Sequence, residues 1–195
     1  MEKGRLEAFS DGVLAIIITI MVLEFEVPET AELTSLQPLF PKILSYVLSY
    51  LYLGIYWNNH HHLLQATRRV NGRILWANLH LLFWLSLIPF ATAWMGENRF
   101  ATIPVALYGF VLLASAVAYS LLSRTLTAHR ENRSILAKAL GKDLKGKLSI
   151  VIYVVAIPLA FATAWIACAL YVLAAAIWLI PDRRIENTLA LSRHN

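Results

Sequence analysis

Between Asp11 and Glu24 the chain runs Gly-Val-Leu-Ala-Ile-Ile-Ile-Thr-Ile-Met-Val-Leu without a charge, with Arg5, Glu7 and Asp11 before it and Glu24 and Glu26 after it. Read as a helix from Leu6 to Glu26, the segment is about 30 Å long, one hydrocarbon thickness of a bilayer. The rest of the chain has the same character. Apolar residues are 58 % and charged residues 15 % of the 195, against roughly a quarter charged in a soluble domain. A multi-span membrane protein is therefore expected. The first apolar run follows Glu2, Glu7 and Asp11 and lacks a small-residue cleavage site, so no cleavable signal peptide is expected. Cys168 is the only cysteine, which excludes an intramolecular disulfide and a thiolate metal cluster.

Hydropathy and breakers divide the chain into one six-helix transmembrane domain over residues 1–195, all-α, with spans at about 6–26, 40–64, 74–95, 103–123, 148–160 and 163–180. The stretch from Leu148 to Ile180 is too long for one span and is expected to break near Pro158. Between spans four and five, Arg124–Lys147 is basic, and its Ile135-Leu136 and Ala139-Leu140 pairs predict a short amphipathic helix. That helix would lie at the interface or extend span four; packing there and lipid-dependent switching are its two readings. Fifteen of the 17 Lys and Arg residues fall in the N-terminal tail, the Arg68–Arg73 turn, this loop and the C-terminal tail. Six spans with both termini cytoplasmic put all four segments on one side. The net charge of +5 thus reflects membrane orientation, and no nucleic-acid partner is expected.

At about 100° per residue, Gly12, Ile16, Thr19, Leu23 and Glu26 share a narrow arc of the first helix, with Ile20 at its edge. Lipid has no use for Thr19 and Glu26 on such a face. Copies of the helix around an axis would have one: four would form a narrow apolar tube with an acidic mouth. An Ile/Leu stripe that merely packs in a core is the alternative. Polar residues inside other spans gather toward the cytoplasmic end: Ser10 and Asp11; Trp57, Asn58, Asn59, His60, His61 and His62; Asn78 and His80. Buried polar groups in a bilayer face the bundle interior in pairs. This set predicts a hydrogen-bonded network of Ser10, Asp11, Trp57, Asn58, His61, Asn78 and His80 fixing the rotation of the first helix, with Asp11 accepting from a His, Asn or Trp donor and Arg5 near it. Titration of the histidines as a pH sensor, and a metal site from Asp11, His80 and one of the three consecutive histidines, are the other readings.

Arg5-x-x-x-Phe9-Ser10-Asp11-Gly12-Val13, continuing through Ala15-Ile16 and Thr19 to Val22-Leu23-Glu24, resembles the first-helix signature of the transmembrane protein 175 family. The resemblance implies a potassium-preferring cation channel of the bacterial cytoplasmic membrane. It implies a six-helix chain assembled as a homotetramer, with the first helix lining a central pore. It also implies that Ile16 and Leu23 constrict the pore with Thr19 between them, and that Arg5, Phe9, Ser10 and Asp11 belong to a structural network. No cofactor and no metal are expected. The Thr-Val-Gly-Tyr-Gly carbonyl filter of other potassium channels does not occur in the chain, so discrimination would rest on side chains. Two rivals draw on the Asp/His cluster instead: a membrane-embedded metal-dependent enzyme and a proton-coupled carrier.

Overall fold

The computed structural model describes residues 3–67, 69–128 and 143–179. Among these the secondary structure is helical throughout. Helix α1 (Lys3–Ile20) tightens into a 3-10 turn, Met21–Glu24, and a second 3-10 segment, Leu33–Leu39, leads into α2 (Phe40–Gln65). Then come α3 (Gly72–Ser86), α4 (Ile88–Glu97), α5 (Thr102–Ala128), α6 (Leu144–Ala162) and α7 (Ala164–Leu179). Five of the rods are long and apolar enough to cross a membrane, with α3 and α4 counted as one; α7 is apolar but shorter, at 16 residues.

The α3–α4 rod is interrupted at a single residue, Leu87. Pro89 has no N–H to give the carbonyl of Leu85, so the ladder lapses and restarts with Ala91 N–H on Leu87 O at 3.1 Å. Asn71 caps α3 by accepting from Ile74 N at 3.0 Å. Three expected boundaries are corrected. The helix containing Pro158 continues to Ala162, and the break falls at Thr163, whose backbone is extended (φ −157°, ψ 110°). A proline inside a spanning helix forfeits one hydrogen bond without ending the helix, because lipid offers the backbone nothing better. Helix α5 runs to Ala128 rather than 123. The first helix stops at Glu24, followed by extended Phe25, so Glu26 lies beyond it. The predicted amphipathic helix over 135–140 and the C-terminal tail lie outside the described residues.

Lys3 Nζ donates to the Gln65 carbonyl at 3.0 Å, so the start of α1 and the end of α2 share one end of the bundle. At the opposite end Lys42 pairs with Glu97 at 3.4 Å. Helix α2 packs closely on α4 there: a Cβ on Gly96 would come within 2.9 Å of Lys42 Cα. Helices α2, α5, α6 and α7 enclose a core of tyrosines. Tyr52, Tyr108, Tyr153 and Tyr171 are fully buried, with Tyr52 OH donating to Tyr171 O at 2.6 Å and Tyr171 OH to Val105 O at 3.2 Å. Ser49 Oγ joins Tyr108 OH at 2.9 Å and Thr92 Oγ1 at 2.6 Å. Tyr171 fits because α5 carries Gly109, where a Cβ would meet its ring carbon Cζ at 2.6 Å. Helix α1 stands outside this core, against α2, α3 and α4.

Candidate functional site

Helix α1 has two faces of unlike chemistry. Leu6, Ser10, Leu14, Ile17 and, in the 3-10 turn, Met21 are buried against the protomer. Spacings of three and four put them on one stripe. The opposite side carries Phe9, Gly12, Ile16, Thr19, Ile20 and Leu23, all exposed; Ile16 is 62 % and Leu23 77 % accessible. A bulky apolar arc is thus left unpartnered by its own chain. Glu26 is exposed too but sits on extended backbone after the helix, so helical periodicity does not assign it to the arc. Thr19 Oγ1 lies 3.0 Å from Ala15 O and 3.1 Å from Ile16 O. Its single proton is therefore used within the helix, and the oxygen presents only lone pairs outward. An uncharged acceptor with no donor role is a cation ligand in kind.

The buried face is tied down by a short polar chain. Asn78 Nδ2 donates to Ser10 Oγ at 2.9 Å, while Asn78 Oδ1 and His60 Nε2 are 2.7 Å apart. An amide oxygen only accepts, so His60 Nε2 carries the proton. Ser10, His60 and Asn78 are each at most 1 % exposed, and the chain joins α1, α2 and α3. Next to it, Trp57 Nε1 donates to Asp11 Oδ1 at 3.1 Å, and His61 stacks on Trp57 with ring centroids 6.0 Å apart. The expected donor to Asp11 is thus the tryptophan.

The network differs from the expected one in four places. His60, not His61, is the buried member, because it continues the inward stripe of Tyr52, Leu53, Leu63 and Leu64 on α2. That stripe was the signal that could have found it. His80 does not reach Asp11; two residues past Asn78 it points about 200° away, is exposed, and accepts from Trp84 Nε1 at 3.0 Å. The trio of Asp11, His80 and one α2 histidine therefore does not form, and among the described residues no three His, Cys, Asp or Glu side chains gather as a metal site would need. Asn58 is exposed on the outer side of α2, and Arg5 is exposed at the start of α1; neither joins the network among the described residues.

Between the outward side of α1 and α4 lies an open groove of about 610 Å³, lined by Ile16, Ile20, Pro89, Phe90 and Trp94, with Glu24 and Glu97 at one end. Sequence reasoning missed its aromatic wall, Phe90 stacked with Trp94 at 6.1 Å.

Residues 5–89 match the family described as "Endosomal/lysosomal potassium channel TMEM175". The chain is 56 % identical to a potassium channel of Chryseobacterium sp. (strain P1-3), over 97 % of this chain and 98 % of that one. It is 32 % identical to a potassium channel of Chamaesiphon minutus, over 85 % and 88 % of the two chains. Its fold is similar to the crystal structure of a lysosomal potassium-selective channel TMEM175 homolog from Chamaesiphon minutus, with a TM-score of 0.78 and 28 % identity, covering 92 % of this chain and 97 % of that chain.

Proposed function

The chain belongs to the TMEM175 family, a multi-pass cell membrane protein among relatives that are channels and not enzymes, and from that premise we propose that it is a potassium-preferring cation channel. The pore forms on the axis of a homotetramer, where α1 of each copy turns Gly12, Ile16, Thr19, Ile20 and Leu23 inward. One observation carries this reading: α1 buries one stripe in its protomer and leaves a second apolar stripe, interrupted by a single acceptor oxygen, facing out. A span with charges at both ends has no reason to hold a hydroxyl at mid-depth on a lipid-facing arc, whereas a pore does. Ile16 and Leu23 form rings too apolar for an ion to keep its hydration shell, and opening requires them to withdraw. Thr19 replaces hydration water between them. Glu24 and Glu26 at the far mouth raise the local cation concentration, a screened effect.

The grouping of 15 of the 17 basic residues in four segments that a six-span layout puts together supports an orientation with both termini in the cytoplasm. Ser10, Asn78 and His60, with Asp11 on Trp57, fix the rotation of α1 that aims the arc.

Two measurements test the proposal. Purified protein in detergent is expected to have a protein mass of about four times 21.9 kDa, and a monomer contradicts a pore built from one helix per subunit. Thr19→Val keeps the volume and removes the oxygen. Under bi-ionic potassium and sodium conditions it is expected to move the permeability ratio about fivefold toward unity, the order of one lost ligand worth ~1 kcal/mol. A reversal potential identical to that of the parent removes Thr19 from selectivity.

A further inference from the structure

A second groove, of about 590 Å³, opens on the outside of the protomer between α3 and α5, lined by Arg73, Trp76, Ala77, His80, Leu121 and Thr125. It is separate from α1 and plays no part in the proposed pore. Its two ends differ. At the boundary end stand Arg73, second residue of α3, and Thr125, near the end of α5; Arg69 in the preceding connector is exposed as well. Below them lie Ala77, Leu121, His80 and the exposed ring of Trp76, which is 76 % accessible. Deeper still, Trp84 of α3 meets Phe110 of α5 edge to face, centroids 5.7 Å apart. From Arg73 to His80 the groove follows about 10 Å of α3, and the Trp84–Phe110 pair lies beyond it along the same side of the helix, so an acyl chain that enters the groove continues toward that pair.

We propose that this groove binds one anionic phospholipid, its phosphate held by Arg73 and its chain laid over Ala77 and Leu121 toward Trp84. The charge supports this occupant: an exposed arginine at headgroup depth pairs with a phosphate by charge-assisted hydrogen bonds, and an amphipathic indole sits beside it at the interface. His80 adds a donor. Because its Nε2 accepts from Trp84 Nε1, its proton resides on Nδ1, and a lipid ester or glycerol oxygen is the partner such a donor seeks. Arg73, Trp76 and His80, at i, i+3 and i+7, share one face of α3, so headgroup, glycerol and chain contacts follow in order down the helix.

The test is native mass spectrometry of the full-length protein in detergent, titrated with phosphatidylglycerol and, separately, with phosphatidylcholine. One phosphatidylglycerol per protomer is expected to bind in preference to phosphatidylcholine. Arg73→Gln is expected to weaken it roughly tenfold, the worth of one charge-assisted hydrogen bond. Leu121→Trp, which fills the chain channel without altering charge at an already exposed position, is expected to weaken it too. Lys147→Gln removes an exposed charge from the same end of the bundle and is expected to change binding less than twofold. Equal losses in Arg73→Gln and Lys147→Gln reduce the effect to general surface charge and overturn the site. So does unchanged binding in both Arg73→Gln and Leu121→Trp, the result expected if a neighbouring protomer covers the groove.

Discussion

Leu23→Ala and Ile16→Asn are each expected to raise potassium current through reconstituted channels. Leu23 is the most exposed large apolar side chain of the arc, and in the proposed tetramer its copies form the narrowest apolar ring on the Glu24 side. A ring of leucines repels an ion because the side chains offer no oxygen while leaving no room for the hydration shell. Truncation to alanine withdraws the branched tips and lets water remain. If that lowers the barrier by about 1.4 kcal/mol, flux rises about tenfold. Ile16→Asn acts differently: it keeps the number of side-chain heavy atoms and adds an amide, so water is retained by hydrogen bonding as well as by a modest widening. The two substitutions lie on the exposed face of the helix, outside the buried stripe that packs on the protomer, so neither is expected to disturb folding. Single-channel recording in planar bilayers reads conductance and open time separately. Currents indifferent to both changes place the conduction path elsewhere.

Why this face was legible in the sequence while the protomer core was not follows from the solvent. In water an apolar stripe marks the inside; in a bilayer the outside is apolar as well, and hydrophobic periodicity loses its direction. What still points inward is small or polar: Ser10, Ser45, Ser49, Asn78 and Gly109 all mark tight or hydrogen-bonded contacts. On α1 those cues were dense, because charges at both ends and one threonine in the middle left few ways to turn it. Within the other spans they were sparse. Tyr52, Tyr108, Tyr153 and Tyr171 are spread over four helices, and nothing in their spacing says that the hydroxyls of Tyr52 and Tyr171 meet carbonyls of neighbouring rods while those of Tyr108 and Tyr153 meet other hydroxyls. Local backbone was misjudged where it depends on tertiary setting: a break expected near Pro158, after residue 160, falls at Thr163, and Glu26 was carried around a helix that has already ended. His61 stood in for His60 because three adjacent histidines look alike until the α2 stripe chooses among them.

Asn78→Leu is expected to be the most damaging substitution outside the pore. Asn78 joins three helices through two hydrogen bonds, to Ser10 and to His60, and is wholly buried. Leucine, with the same branched outline and the same number of side-chain heavy atoms, removes both bonds at once and leaves His60 Nε2–H and the Ser10 hydroxyl facing an apolar side chain. An unsatisfied buried group costs about 1–3 kcal/mol, whereas single side-chain hydrogen bonds between membrane helices average about 0.6 kcal/mol. The larger figure applies here, because the His60 N–H is orphaned in a wholly buried site. Ser10→Ala isolates the smaller effect: only the Asn78 amide loses an acceptor, and a loss below ~1 kcal/mol is expected. The order Asn78→Leu worse than Ser10→Ala is therefore the signature of a network whose centre is the asparagine. Thermal unfolding of detergent-solubilised protein measures it directly. Recordings from Ser10→Ala, which is expected to fold, then separate stability from aim: if the Ser10 bond holds the rotation of α1, its loss broadens the distribution of conductance levels, because the arc no longer presents one register to the axis. Ser10→Ala channels with the parent's single level assign that rotation to packing of Leu6, Leu14 and Ile17 alone.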